Sequence, residues 1–161
     1  MAPDADISRS MDAIRAVVRA LRINTRAIEL EIGISLAQLF VLQQVAQRAA
    51  TSLNDLAERT ATHQSSVSVV LRRLVDRGLV TRKADAADKR RVQIELTAAG
   101  EKLLVGAPET IQTRLVTALN TMTAGDRKQL AELLSKWLDA AKINYSAPPM
   151  MGEDDAVAGE L

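Results

Sequence analysis

The sequence predicts a mainly helical chain of the α+β class, in which one small β-element interrupts a series of amphipathic helices. Three observations carry this. Apolar residues recur at the helical period along most of the 161 residues. Aromatic residues are only 2% of the chain, so Leu, Val, Ile and Ala must fill the core, a set suited to helices packed along their lengths. One stretch departs from the helical period: Val92, Ile94 and Leu96 alternate with Gln93 and Glu95, as in a half-buried strand. The length fits one domain, or one domain with an extension, and is enough for a real core.

The first helix is expected from about Asp6 to Leu30. Ile7, Met11, Ile14, Val18, Leu21, Thr25 and Ile28 follow alternating spacings of four and three, a heptad-like seam that Val17, Ala20 and Ile23 widen. Arg9, Arg15, Arg19, Arg22 and Arg26 take the other face. Such a seam needs a partner surface, either the rest of the chain or a second subunit. Gly33 breaks the helix. Ser35 with Gln38 forms a capping-box pattern that opens a second helix over Leu36 to Arg48. Its inward stripe is Leu39, Leu42, Val45 and Ala46, with Phe40 close by. After the connection Ala49-Ala50-Thr51, Ser52 and Asp55 give a second cap signal for a short helix with Leu53, Leu56 and Ala57 inward. Arg59-Thr60-Ala61 leads onward.

Thr62 is the expected N-cap of the next helix, whose stripe is Val67, Val70, Leu71 and Leu74. Gly78 stands where a helix ends in a left-handed residue. Leu79-Val80 and Val92 to Leu96 read as two short strands, and the polar run from Lys83 to Arg91 as the solvated tip between them. A short helix, a second helix and a two-stranded wing make a winged helix-turn-helix, a DNA-reading shape. Opposite the apolar stripe lie Ser65, Val69, Arg72 and Asp76, flanked by Ser66, Ser68 and Arg73. Small hydroxyl residues allow close approach to base edges or phosphates, and the arginines reach a guanine edge or the backbone. An ordinary amphipathic helix would show a similar face; the wing favours DNA.

Thr97 is expected to cap a long helix from Ala98, with Leu103, Leu104, Ala107, Ile111, Leu115, Leu119 and Met122 as its stripe. Pro108 lacks a backbone donor, which predicts a kink or break near Leu104 to Ala107. Thr123 to Asp126 caps a last helix to about Ile143, with Leu130, Leu133, Leu134, Trp137, Leu138 and Ala141 on one side. Residues 146–161 lack periodicity and are acidic, so a disordered tail is expected there, either solvated slack or a regulatory segment.

Net charge is only +1, but it is unevenly spread. Residues 59–91 hold nine Lys/Arg against three Asp, a balance of +6, whereas 153–161 hold only acidic charges, a balance of −4. DNA responds to the local patch, since phosphate contacts act within a Debye length of about 8–10 Å. The chain has no cysteine, which removes disulfides, thiolate metal sites and thiol switches. Its one histidine, His63, lacks partner ligands and reads as a phosphate-facing or exposed residue, so no metal and no cofactor are expected. No run reaches the length of a membrane span, and the first residues lack the regions of a signal peptide. A cytoplasmic protein is the expectation. No phosphate-binding Gly loop, nucleophile elbow or H-E-x-x-H motif points to an enzyme. The aromatics that single-strand RNA readers stack on are also missing.

Two stretches, Leu74-Val-Asp-Arg-Gly78-Leu-Val and Asp85-Ala-Ala-Asp88-Lys-Arg90-Arg-Val92-Gln-Ile94-Glu-Leu96-Thr97-Ala-Ala-Gly100, resemble the MarR family of winged-helix transcriptional regulators. The match is most specific in Asp88-x-Arg90 and in Leu96-Thr97-x-x-Gly100; the order of elements is similar over residues 7–143. The resemblance implies that Arg90 enters the minor groove, oriented by Asp88, while the preceding helix lies in the major groove. The implied interface comprises Thr62, His63, Gln64, Ser65, Ser66, Ser68, Val69, Arg72 and Arg73 on the helix, and Asp88, Lys89, Arg90 and Arg91 on the wing. Many relatives carry a basic residue where this chain has Val69, so base preference does not transfer; a thymine methyl is a suitable partner for Val69. The resemblance also implies a homodimer whose terminal helices, residues 6–34 and 98–145, intertwine around the DNA-reading region, residues 35–97. It further implies a pseudo-palindromic double-stranded operator, and repression relieved by a small aromatic or anionic effector. The competing readings are a winged-helix protein-interaction module and a nonspecific architectural DNA-binding protein.

Overall fold

The computed structural model describes residues 4–49, 52–84, 92–145 and 150. Helix α1 (Ala5–Ile32) starts where the Asp4 carboxylate accepts the Asp6 N–H at 2.8 Å, and stops at Gly33, which takes φ 73°. The chain then turns by 76° into α2 (Leu36–Gln47). Both halves of the expected capping box are present. Ser35 Oγ accepts from Gln38 N at 3.1 Å, and Gln38 Oε1 accepts from Ser35 N at 3.0 Å. α2 is not one-sided as its stripe suggested: Leu36, Ala37, Leu39, Phe40, Val41, Leu42 and Val45 are all buried, while Ala46 is exposed. It is enclosed by α1, by α3 (Leu53–Arg59), by α4 (Gln64–Asp76) and by the sheet, so most of its circumference is core.

Strands β1 (Val80–Ala84) and β2 (Val92–Leu96) pair antiparallel, with Val80 opposite Leu96 and Ala84 opposite Val92. Lys83 therefore belongs to β1 rather than to the loop. Opposite charge across the ladder favours this: Lys83 Nζ lies 3.0 Å from Glu95 Oε2. The alternation in β2 is asymmetric, for Ile94 is buried whereas Val92, near the tip, is exposed.

The helix expected from Ala98 divides in two. α5 (Ala98–Leu104) ends at Val105, Gly106 adopts φ 78°, and α6 (Ile111–Thr121) begins at a Thr110 cap. The break falls where Pro108 places it. α7 (Ala124–Ala140) starts at the Thr123 cap and stops short of Ile143. There Lys142 takes φ 57° and the Ile143 N–H reaches back to the Leu138 carbonyl at 3.0 Å.

One hydrophobic cluster joins Ile28 and Ile34, α2, Leu56, the inner face of α4, Leu79, Val80 and Ile94. Leu21, Ile111 and Val116 pack against its margin. Ile32 packs there too, whereas residues 5–20 of α1 and all of α7 lie outside it. Of residues 146–161 only Met150 is described, and it joins the buried set at 5% exposure.

Candidate nucleic-acid interface

α4 packs against α2, α3 and β1 through one face. It buries Val67, Val70, Leu71 and Leu74 as the spacing required. His63, not Thr62, occupies its N-cap position and makes no side-chain cap bond. Thr62 instead closes the preceding turn, its N–H donating to the Ala57 carbonyl at 3.0 Å. Amides of the first helical turn have no acceptor within the helix, and uncapped they form an anion site of the kind that takes a phosphate. Ser66 is a correction too. It is 6% exposed, because a residue four before Val70 shares Val70's side of the helix. Gln64, Ser65, Arg72 and Arg73 are exposed, Val69 is 41% exposed, and Thr62 and Ser68 are half-buried.

The end of α4 is bolted to the wing. Gly78 takes φ 68°, and the Leu79 N–H reaches the Leu74 carbonyl at 3.0 Å, closing the helix as expected. Thr97, at the base of β2, donates its hydroxyl to the Gly78 carbonyl at 2.6 Å and accepts the Gly100 N–H at 3.1 Å. Its own N–H donates to the Leu79 carbonyl at 3.1 Å. Gly100 is buried, and a Cβ there would overlap the Leu79 carbonyl oxygen. The motif Leu96-Thr97-x-x-Gly100 is thus the joint that sets the wing's angle to α4. The tip residues Asp88, Lys89, Arg90 and Arg91 lie outside the described residues.

One basic residue has a role its sequence did not show. Arg59 counted toward the positive patch, yet it faces inward. Its Nη1 donates to the carbonyls of Gln44 at 2.9 Å and Arg48 at 2.8 Å. It therefore caps the end of α2, which has neither a Gly nor a basic last turn of its own. Burial lowers the Arg59 pKa, Asp55 at 3.7 Å opposes that, and Arg48 adds to it. Arg82 is exposed on β1 beside the expected tip.

An open groove of about 460 Å³ runs along α1, lined by Ile14, Val18, Ile23 and the stems of Arg15, Arg19 and Arg22. Phe40 does not border it, being 1% exposed within the core. Among the described residues no single helix is long and apolar enough to cross a membrane.

Comparison with known proteins places this geometry among transcriptional regulators. A family model described as MarR family matches residues 32–91. The transcriptional regulator HosA of Escherichia coli O157:H7 is 30% identical over 102 residues, 63% of this chain and 76% of that protein. The transcriptional repressor MdtR of Bacillus subtilis is 29% identical over 116 residues, 70% of this chain and 72% of that protein. A solved structure of Bordetella bronchiseptica BpsR aligns with a TM-score of 0.56 at 27% identity, covering 81% of this chain and 92% of that one. That structure was determined for the mechanism by which 6-hydroxynicotinic acid regulates its DNA binding.

Proposed function

This chain belongs to the MarR family of transcriptional regulators, and from that membership we propose that it acts as a cytoplasmic homodimeric repressor that an effector releases from a pseudo-palindromic operator. The observation that carries the reading is the outer face of α4. Its N-terminus is uncapped, Gln64, Ser65, Val69, Arg72 and Arg73 are exposed, and the wing is fixed to the helix's other end. Such a surface suits a helix lying in the major groove while the wing follows the backbone. His63 and Thr62 sit at the phosphate end; Ser68 and Ser66 are second-rank by exposure. On the wing, Arg90 is assigned the minor groove, Asp88 its orientation, and Lys89 and Arg91 the phosphates. Catalysis has no part in this reading.

Dimerisation is supported by apolar residues left uncovered on the terminal helices, Ile7 at 61% and Leu133 at 56% exposure among them. The effector reading is supported by the α1 groove, whose apolar wall and arginine rim suit a small aromatic anion. The 6-hydroxynicotinic acid of BpsR is of that class. Such a molecule acts only through unequal affinity for the DNA-competent and DNA-incompetent shapes.

The test is selection of bound sequences from a random duplex pool, followed by affinity against salt. A palindromic motif with half-sites about 10–10.5 bp apart is expected. Arg90→Ala should weaken binding and lower the salt slope by about one per subunit. Binding without sequence preference would identify an architectural protein, and no binding at low salt a protein-interaction module. An Arg90→Ala slope equal to the wild type would remove Arg90 from the interface.

A further inference from the structure

The chain passes twice between the reading body and the terminal helices, once at residues 33–35 and once at 105–110. Each passage is held by side chains from elements far away in sequence. At the first, Arg77, the C-cap of α4, donates from Nη2 to the Gly33 carbonyl at 3.0 Å. At the second, Gln43 of α2 donates from Nε2 to the Pro108 carbonyl at 2.7 Å. Three residues on, Asn24 of α1 accepts the Ile111 N–H at 3.0 Å. That amide lies in the first turn of α6, where no intrahelical acceptor exists. Asn24 is therefore a cap for α6 supplied from 87 residues away.

We infer that Arg77 and Gln43 are positioning residues that lock the angle between the recognition helix and the dimerisation helices, and so set the operator half-site spacing, while Asn24 ties the two dimerisation helices α1 and α6 to each other. The inference rests on the dimeric reading above. Arg77 is then a strut rather than a phosphate contact, although it belongs to the basic run. The bonds are directional, which gives each a specific chemistry. Gln43→Glu keeps the shape but sets an oxygen against the Pro108 carbonyl oxygen, turning attraction into repulsion. Arg77→Met keeps the apolar stem and removes the donor. Asn24→Asp keeps the acceptor and places negative charge at the start of α6, where the helix dipole favours it.

The absence of cysteine makes the test direct: Ser65→Cys gives one spin-label site per subunit, and hence one inter-helix distance in the free dimer. The wild-type background and Asn24→Asp should give one narrow distance distribution. Gln43→Glu and Arg77→Met should broaden it at least about twofold. Unlabelled proteins are then compared on the selected operator and on one with a base pair inserted between half-sites, which moves them apart by about 3.4 Å and turns them by about a tenth of a helical turn. Wild type and Asn24→Asp should discriminate about tenfold or more, and the other two about threefold or less, with base preference inside each half-site unchanged. Distributions like the wild type's, or parallel loss of affinity for both operators, would overturn the inference. A wild-type protein with no inter-subunit distance would overturn the dimeric reading and this inference with it.

Discussion

Gly100 shows how much a single missing methyl can decide. Its Cα hydrogen faces the Leu79 backbone carbonyl, and that carbonyl is fixed by the Thr97 N–H. Neither side can give way without moving the wing, so Gly100→Ala should cost about 1–3 kcal/mol, the usual range for an overpacked site. Urea unfolding measures this; a change below about 0.5 kcal/mol, the size of an ordinary surface substitution, would mean the joint is softer than its geometry. The sequence marks Gly100 only through a motif, because the atom that demands it belongs to a residue 21 positions earlier. Gly78 was legible by contrast, since its left-handed turn is a property of its own backbone. Ser66 and Thr62 failed for a local reason. Helical phase places a flank only to within a residue, and a serine fits a core margin as readily as a groove. Arg59 failed for a remote one, as the carbonyls it caps end a helix that precedes it.

Among the elements, four helix starts were legible, while the end of α7 was not. Ser35, Ser52, Thr97 and Thr123 each accept a bond from the amide three residues on, a device written within four residues of sequence. The early stop of α7 depends on Lys142 in a conformation that its side chain does not advertise. β1 ran further than its apolar pair because cross-strand charge, not hydropathy, holds Lys83 in the ladder. Thr97 is the most connected of the caps, serving α4, the sheet and α5 together. Thr97→Val keeps its volume and removes both hydroxyl bonds, so a loss of about 1–3 kcal/mol is expected from the cap and the lost bond to Gly78. Thermal or urea unfolding of that variant reads it, with full stability in Thr97→Val counting against the joint.

For the whole molecule, the division between a filled reading body and bare terminal helices is the dominant feature. α7 has no buried residue among those described, although Leu133, Leu134 and Trp137 stand on one side of it. The spacing of that stripe was visible in the sequence, but no period says whether its cover comes from the same chain or another. If a second copy covers it, Leu133→Asp with Trp137→Asp should halve the mass seen by sedimentation while the core cluster, which contains neither residue, keeps its fold. A dimer that survives both changes would move the contact elsewhere. The bare arm has one more consequence, for the amount of protein a cell must keep. If a second copy covers that arm, assembly is a bimolecular event, so each tenfold dilution removes about 1.4 kcal/mol from the assembled state. In that dimeric reading the melting temperature climbs with concentration, and scarcity alone would take the regulator off its operator.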